Sequence, residues 1–229
     1  MQRGGRLSRQ ELLCAAAATS GQLEELKELR KNDTPWDALT CTAAAKGGHL
    51  NVLLWARANG CPRDDDELLY TAAQFALEVM VQALIELGTD VNKAADNGAT
   101  PLYVAAQKGN EAVVRARIKA SVDVNKAADD GMTPLLMAAQ NGHESAVVRA
   151  LIEAGADVNK AGINGTPLFI AAFASHESVV RARIELGADV NKARKNGITP
   201  LSVSRTPISN VAQGEHAAIV QILRDAGTV

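Results

Sequence analysis

The strongest constraint on the fold is an internal repeat with a period of 33 residues. The segment NGATPLYVAAQKGN at 97–110 returns as DGMTPLLMAAQNGH at 130–143. A third copy, NGTPLFIAAFASH, lies at 164–176, and a fourth begins as NGITPLSVS at 196–204. Self-similarity at a fixed period predicts an array of stacked units, each too small to bury its apolar face alone.

Each repeat begins with the pattern of a short helix. A threonine stands before a proline, which places a capping hydroxyl ahead of the residue type that favours the first helical position. Two alanines follow, small enough for neighbouring helices to approach closely, and then a residue that ends the helix. These features are Thr100-Pro101, Thr133-Pro134, Thr166-Pro167 and Thr199-Pro200; Ala105-Ala106, Ala138-Ala139 and Ala171-Ala172; and Gly109, Gly142 and Ser175.

A second helix is predicted after each break, because valine pairs at 113–114, 147–148 and 179–180 are followed by isoleucine at helical spacing. Each unit closes on DVNK, at 90–93, 123–126, 157–160 and 189–192. We predict that this segment is short and β-like and leads into the Asn-Gly or Asp-Gly turn of the next unit. Its aspartates, Asp90, Asp123, Asp157 and Asp189, are expected to accept hydrogen bonds from nearby backbone N–H groups.

These residues resemble the ankyrin repeat, and the segment NGHESAVVRALIEAGADVNKA at 141–161 carries the resemblance most fully. Gly-x-Thr-Pro-Leu, Ala-Ala, Gly-His and Gly-Ala-Asp-Val-Asn all stand in register over four units. The resemblance implies an all-α solenoid of stacked helix-turn-helix units with protruding β-hairpin loops. It also implies that the array recognises proteins and has no enzymatic activity of its own.

The same register predicts a tail at 1–9 and an ankyrin-repeat domain over 10–229. The period shortens at the beginning, which gives two short repeats at 10–37 and 38–64. Four repeats follow at 65–94, 95–127, 128–160 and 161–193, although the first of them carries Leu68 in place of proline and Ala76 in place of glycine. An irregular repeat at 194–229 contains extra residues between Leu201 and Gly214.

Charge and cysteine content narrow the classes of partner and the cellular compartment. The formal net charge of −2 argues against binding to nucleic acid or to an acidic membrane by bulk charge. Cys14, Cys41 and Cys61 are too few for a disulfide scaffold and indicate a reducing compartment. No signal-peptide pattern or membrane span is recognisable, so we expect a monomer in the cytoplasm, with the nucleus as an alternative.

No candidate chemistry outweighs a structural explanation. His49, His143 and His176 stand in successive Gly-His positions or their equivalents, with His216 close to another. Stacked repeats lie about 10 Å apart, too far for two such histidines to share a zinc ion, so structural capping is favoured. The cysteines are assigned to the core rather than to reactive thiols. We therefore expect no catalytic residue, no metal and no cofactor.

A partner protein is expected to contact the concave side, formed by the first helices and the hairpin tips. Every Phe and Tyr of the chain lies at one of three positions on or just after a first helix. Packing between helices is an alternative explanation for those that directly follow Pro-Leu. The expected contact residues are Tyr70, Gln74, Phe75, Asp96, Asn97, Tyr103, Gln107, Lys108, Asp129, Met132, Leu136, Gln140, Asn141, Phe169, Phe173 and Lys195.

Basic residues at the hairpins form a second, weaker signal. Lys93, Lys126, Lys160 and Lys192 recur at the hairpin bases, joined by Arg194 and Lys195. This row either meets an acidic partner or is simply solvated. A spacer or a regulatory adaptor array within a larger protein remains the alternative function.

Two arginines stand where other repeats carry an inward-facing leucine. Arg117 and Arg183 occupy the position of Leu84 and Leu151 on the second helix. A buried guanidinium without compensation is costly, so the stems are expected to pack while the charged heads reach solvent.

Overall fold

The computed structural model describes residues 9–143, 145–204 and 213–227, where helices are joined by turns and loops. Fourteen helices form in this part, which confirms the all-α prediction. They are α1 Arg9–Thr19, α2 Leu23–Lys31, α3 Ala38–Lys46, α4 Leu50–Ala58, α5 Asp65–Gln74, α6 Glu78–Glu86, α7 Pro101–Lys108, α8 Glu111–Lys119, α9 Pro134–Gln140, α10 Ser145–Glu153, α11 Pro167–Phe173, α12 Glu177–Glu185, α13 Pro200–Ser204 and α14 Gln213–Asp225. Most of the predicted insertion, residues 205–212, lies outside the described residues.

The helices belong to two compact units, Met1–Lys93 and Ala94–Val229. In the first unit, the first helices α1, α3 and α5 pack in a row, and each pairs with the second helix of its own repeat. In the second unit, α7, α9, α11 and α13 form one layer, and α8, α10, α12 and α14 form another. Each unit is therefore a stack of helix pairs.

The predicted helix starts are confirmed. The hydroxyls of Thr100, Thr133 and Thr166 each accept a hydrogen bond from the backbone N–H three residues further on, at 3.1–3.2 Å. Proline follows at the first helical position in all three. In the first unit, aspartates supply the cap: Asp37 accepts from Leu39, and Asp64 accepts from Glu67. The capping group changes while its role at the helix start is kept.

The core consists mainly of small side chains between the first helices. All six residues of the predicted alanine pairs are fully buried, and so are the valine pairs of the second helices, at 2 % exposure or less. The three cysteines are also buried and are free thiols, as expected for core positions. Because alanine projects only one carbon, neighbouring backbones can approach closely along the whole row.

Three histidines each link their own repeat to the repeat before it. Instead of capping its own helix, each imidazole Nε2 donates to a backbone carbonyl at the end of the preceding repeat's first helix. Such a carbonyl has no acceptor role left inside the helix, so the bond satisfies a group that would otherwise need water. The pairs are His49 with Thr19 at 3.0 Å, His143 with Gln107, and His176 with Gln140 at 3.0 Å.

A glycine after the helix makes room for each histidine ring. Gly109 and Gly142 have positive φ, and a Cβ on either would overlap the ring of His143 or His176. Two repeats depart from this arrangement: Ala76 and Ser175 adopt the same left-handed conformation with φ of 63° and 64°. This conformation is unfavourable for a residue that has a Cβ, so both positions store strain.

The DVNK segments are turns, so the prediction of β-like structure there is wrong. Each aspartate carboxylate accepts from the backbone N–H two residues on, at 2.8–2.9 Å, which confirms that part of the prediction. The protruding loops each close through two backbone bonds; in the first of them Ala95 N–H donates to Ala99 O at 2.9 Å and Gly98 N–H donates to Ala95 O at 2.8 Å. Within the described residues the sole bridge is between Gly162 and Gly165.

Asparagines of the same segments connect one repeat to the next. Asn125 donates from its amide to Gly155 O at 3.1 Å and accepts from Asp157 N at 2.9 Å. Asn159 accepts from Asp189 N, also at 2.9 Å. These bonds fix the spacing of successive repeats at the hairpin side of the second unit.

The prediction that the arginine heads reach solvent is wrong. Arg117 and Arg183 are both fully buried, as are Leu84 and Leu151 at the equivalent position. Arg183 donates from Nη2 to Leu135 O at 2.8 Å, while its Nε and Nη1 have no hydrogen-bond acceptor. Burial lowers the pKa of Arg183 to about 9, so the guanidinium is still charged at neutral pH. This position of the second helix is therefore in the core, although in these repeats it carries an arginine.

Replacing Arg183 with leucine should stabilise the protein. Arg183→Leu removes a buried charge and fills the position with the residue used at Leu151, so we expect the free energy of unfolding to rise by about 1–4 kcal/mol. Arg181→Leu is the matched control, because Arg181 is exposed on the same helix and pairs with Glu177. That change should stay within about 0.5 kcal/mol. Urea unfolding of both variants measures the difference, and an Arg183→Leu variant no more stable than Arg181→Leu contradicts the idea.

Relieving the strain at Ala76 should also stabilise the protein. Ala76→Gly removes the Cβ from a left-handed residue, and we expect a gain of about 0.5–1 kcal/mol after the greater chain entropy of glycine is subtracted. The same substitution in the middle of α6, Ala83→Gly, should instead cost about 1 kcal/mol. Thermal unfolding of the two variants checks the opposite signs. If both variants lose the same free energy of unfolding, Ala76 is unstrained.

Candidate functional site

The expected contact residues divide into an exposed and a buried group. Tyr70 and Gln107 are half-buried. Phe75 and Phe173 are large apolar side chains that are 48 % and 49 % exposed. The other exposed members are Gln74, Asp96, Asn97, Lys108, Asp129, Gln140, Asn141 and Lys195.

Four of the expected contact residues lie in the core instead. Tyr103, Met132, Leu136 and Phe169 are at most 9 % exposed, which agrees with the alternative of packing between helices. The hairpin of the following repeat covers this position: a Cβ on Gly162 would lie 3.0 Å from Leu136 and 3.4 Å from Met132. The exposed surface therefore begins at the end of each first helix rather than at its start.

A cleft of about 420 Å³ brings helix ends and hairpin tips together in the second unit. Phe173 and Ala174 at the end of α11 form one side, with Ile170 one turn earlier. Gln140 at the end of α9 lies beside them, and Asn164 contributes from a hairpin tip. The cleft thus combines an exposed aromatic ring with amide groups that can both donate and accept hydrogen bonds.

Arg194 closes the hairpin side of the same cleft. Its guanidinium carbon lies 5.2 Å from the centroid of the Phe169 ring, within cation–π distance. Its Nη2 also lies 3.5 Å from Ile163 O. Gly165 permits this packing, because a Cβ there would come within 2.8 Å of Phe169 and 3.0 Å of Arg194. The ring holds the cation in place at the edge of the apolar surface.

Five residues of this region were not among the expected contacts: Ile163, Asn164, Ile170, Ala174 and Arg194. Arg194 was grouped only with the basic hairpin residues, and Asn164 and Ile163 were not considered. Ile163 is 68 % exposed at a hairpin tip where the preceding repeats carry Asp or Asn. An apolar residue at that repeat position is the sequence signal that would have identified it.

The first unit has a separate aromatic cluster outside the first helices. Trp36 and Trp55 meet edge to face with ring centroids 5.8 Å apart, and the Arg30 guanidinium lies 4.4 Å from the Trp36 ring. Lys27 and Lys31 border the same cleft, but each pairs with a glutamate on its own helix. The cluster is consistent with packing of α2 against α4, with its charges largely compensated.

One pair of residues resembles a catalytic dyad. Ser175 Oγ lies 3.0 Å from His216 Nδ1, and His216 is buried. His216 lies in the first turn of α14 and reaches the end of the preceding first helix, as the other histidines do. The pair is therefore a variant of the same link between repeats, in which a hydroxyl replaces the carbonyl.

Neither metal binding nor thiol chemistry is supported in the described part of the chain. No group of three or more His, Cys, Asp or Glu side chains there could hold a metal ion. Burial raises the pKa of the Cys14 thiol, and the hydrogen bond with Cys41 together with burial raises that of Cys61. Raised pKa values keep both of these thiols protonated at neutral pH. The same hydrogen bond lowers the pKa of Cys41, but Cys41 is fully buried, so a reactant in solution cannot reach its sulfur.

Comparison with known proteins adds the family. The model for ankyrin repeats (3 copies) matches residues 41–126, 69–162 and 105–194. No curated protein matches the chain. Among the described residues, no helix has the length and apolar character needed to cross a membrane. The match covers well over half of the sequence, and its repeats coincide with the stacked helix pairs, so the chain belongs to the ankyrin-repeat family.

Proposed function

We propose that this protein is a non-enzymatic interaction module that binds a partner protein through the ends of its first helices and its hairpin tips. Ankyrin repeats are generally protein–protein interaction modules. The observation that carries the proposal is Phe173, a large apolar ring that is half-exposed in a cleft lined by the ends of two first helices and by a hairpin tip.

Exposed aromatic side chains are suited to this role. Aromatic anchors contribute strongly to binding energy at interfaces, because they remove much apolar area from water and lose little conformational entropy. Phe75 in the first unit directly follows the last residue of its first helix, and Phe173 in the second unit is the last residue of its first helix. Each unit therefore offers its own anchor on the same part of the repeat.

The exposed apolar residues favour binding over a spacer role. A spacer needs only a solvated surface, and exposed phenylalanine or isoleucine would add a risk of aggregation to it. Phe75, Phe173 and Ile163 are all more than 45 % exposed. We also propose that the protein is a monomer and that it acts in the cytoplasm as a scaffold or adaptor.

Removing the exposed ring should weaken binding without unfolding the protein. We expect Phe173→Ala to reduce capture of partner proteins from a lysate, with a stability loss below about 1 kcal/mol because half of the ring is already in water. Phe169→Ala should instead cost about 3–5 kcal/mol, since that ring is buried. Quantitative pull-down and urea unfolding separate the two effects.

Val79→Ala serves as the control for apolar exposure. Val79 is 70 % exposed in the first turn of the second helix α6, which is not one of the first-helix ends or hairpin tips proposed to bind. Its removal should leave capture unchanged. If Val79→Ala reduces capture as much as Phe173→Ala and Phe75→Ala do, binding does not use the proposed surface.

A further inference from the structure

The charge of the hairpin tips in the second unit changes from negative to positive along the array. The exposed tip residues are Asp96 and Asn97 in the first hairpin and Asp129 and Asp130 in the second. The third tip is neutral, with Ile163 and Asn164, and the fourth carries Lys195. The cleft at Phe173 lies between the third and fourth hairpins, so it is at the basic end of this gradient.

The positive charge at the cleft has no carboxylate partner in the part of the chain that the structure describes. Neither Arg194 nor Lys195 has a carboxylate within ion-pair distance among the residues that the structure describes. By contrast, Arg115, Arg149 and Arg181 on the second helices all pair with a glutamate. The two cations beside the apolar surface of the cleft are therefore available to a carboxylate from a partner.

Arg194 is held in an orientation that suits a carboxylate. The Phe169 ring supports its guanidinium on one side, and Ile163 O engages Nη2. A planar guanidinium fixed in this way loses little further entropy when it binds a carboxylate, which it can contact through two N–H groups at once. Beside it, Phe173 and Ile170 offer a place for an apolar side chain.

We propose that this cleft binds an acidic segment of a partner protein. An apolar side chain of the segment contacts Phe173 and Ile170, and a neighbouring Asp or Glu pairs with Arg194 and Lys195. The amides of Gln140 and Asn164 bond the backbone of the segment between these two contacts. The proposal rests on the protein-binding function above and specifies the chemistry of its partner.

The charge gradient also orients the segment. Its acidic part lies toward the hairpin of Arg194, because Asp129 and Asp130 two hairpins earlier would repel it. Basic residues are tolerated at the other end for the same reason.

Selection from a random-peptide display library against the full chain tests the proposal. Enriched peptides should share an acidic residue near an apolar one, and fluorescence anisotropy then measures their binding. Arg194→Glu should weaken binding by about tenfold or more, as should Phe173→Ala. Lys119→Glu, the matched control at the exposed end of α8, should change the affinity by less than about twofold.

A charge exchange gives a readout that a structural role for Arg194 would not produce. An enriched peptide whose acidic residue is replaced by lysine should bind the Arg194→Glu variant more tightly than the wild type. If enriched peptides bind without regard to Arg194, Lys195 and their own acidic residue, the proposal is overturned, while binding through Phe173 still supports the broader function. A library that yields no peptide sensitive to Phe173→Ala overturns the proposal as well, and the pull-down then decides the broader function independently.

Discussion

The close approach of successive first helices is the constraint on which the rest of each unit depends. Ala105-Ala106, Ala138-Ala139 and Ala171-Ala172 are fully buried, and a larger side chain at any of them would push two repeats apart. The histidine bond to the preceding helix and the asparagine bonds at the hairpins form only at this spacing. The small residues therefore set the geometry, and the polar links hold the repeats in register.

The repeat explains why so much of the fold was predictable. A Thr-Pro pair, an alanine pair and a glycine each have one physical role at a helix start, a helix contact and a helix end, and all three appear at a fixed period. Those roles depend on residues that are close together in the chain, so the sequence alone was enough to predict them. The turn at DVNK was mistaken for a β-like segment because the aspartate bond that shapes it competes with extended structure.

Burial at the candidate site was harder to predict, since it depends on the neighbouring repeat. Leu136 and Phe169 were expected at the surface because their position resembles the recognition surface of the family. In the structure Gly162 of the next repeat lies against Leu136, Arg194 of the next repeat lies over the Phe169 ring, and both side chains are buried. The arginine heads were misplaced for a related reason: Arg183 finds its carbonyl acceptor on α9, the first helix of the preceding repeat. By contrast, Phe75 and Phe173 were expected to be exposed because they lie at the end of a first helix, where the resemblance implies exposed residues, and each is about half exposed.

The asparagine bonds at the hairpins make the second unit modular. Asn125 and Asn159 bond backbone groups of the following repeat, and the only sequence that they require there is a segment that places its backbone like Gly-Ala-Asp. A whole repeat can therefore be duplicated or exchanged at this point, and each new junction recovers the same bonds. A gain or loss of part of a repeat would break them. Insertions and deletions of complete repeats are thus tolerated better than partial ones. They lengthen or shorten the binding surface and leave each junction intact.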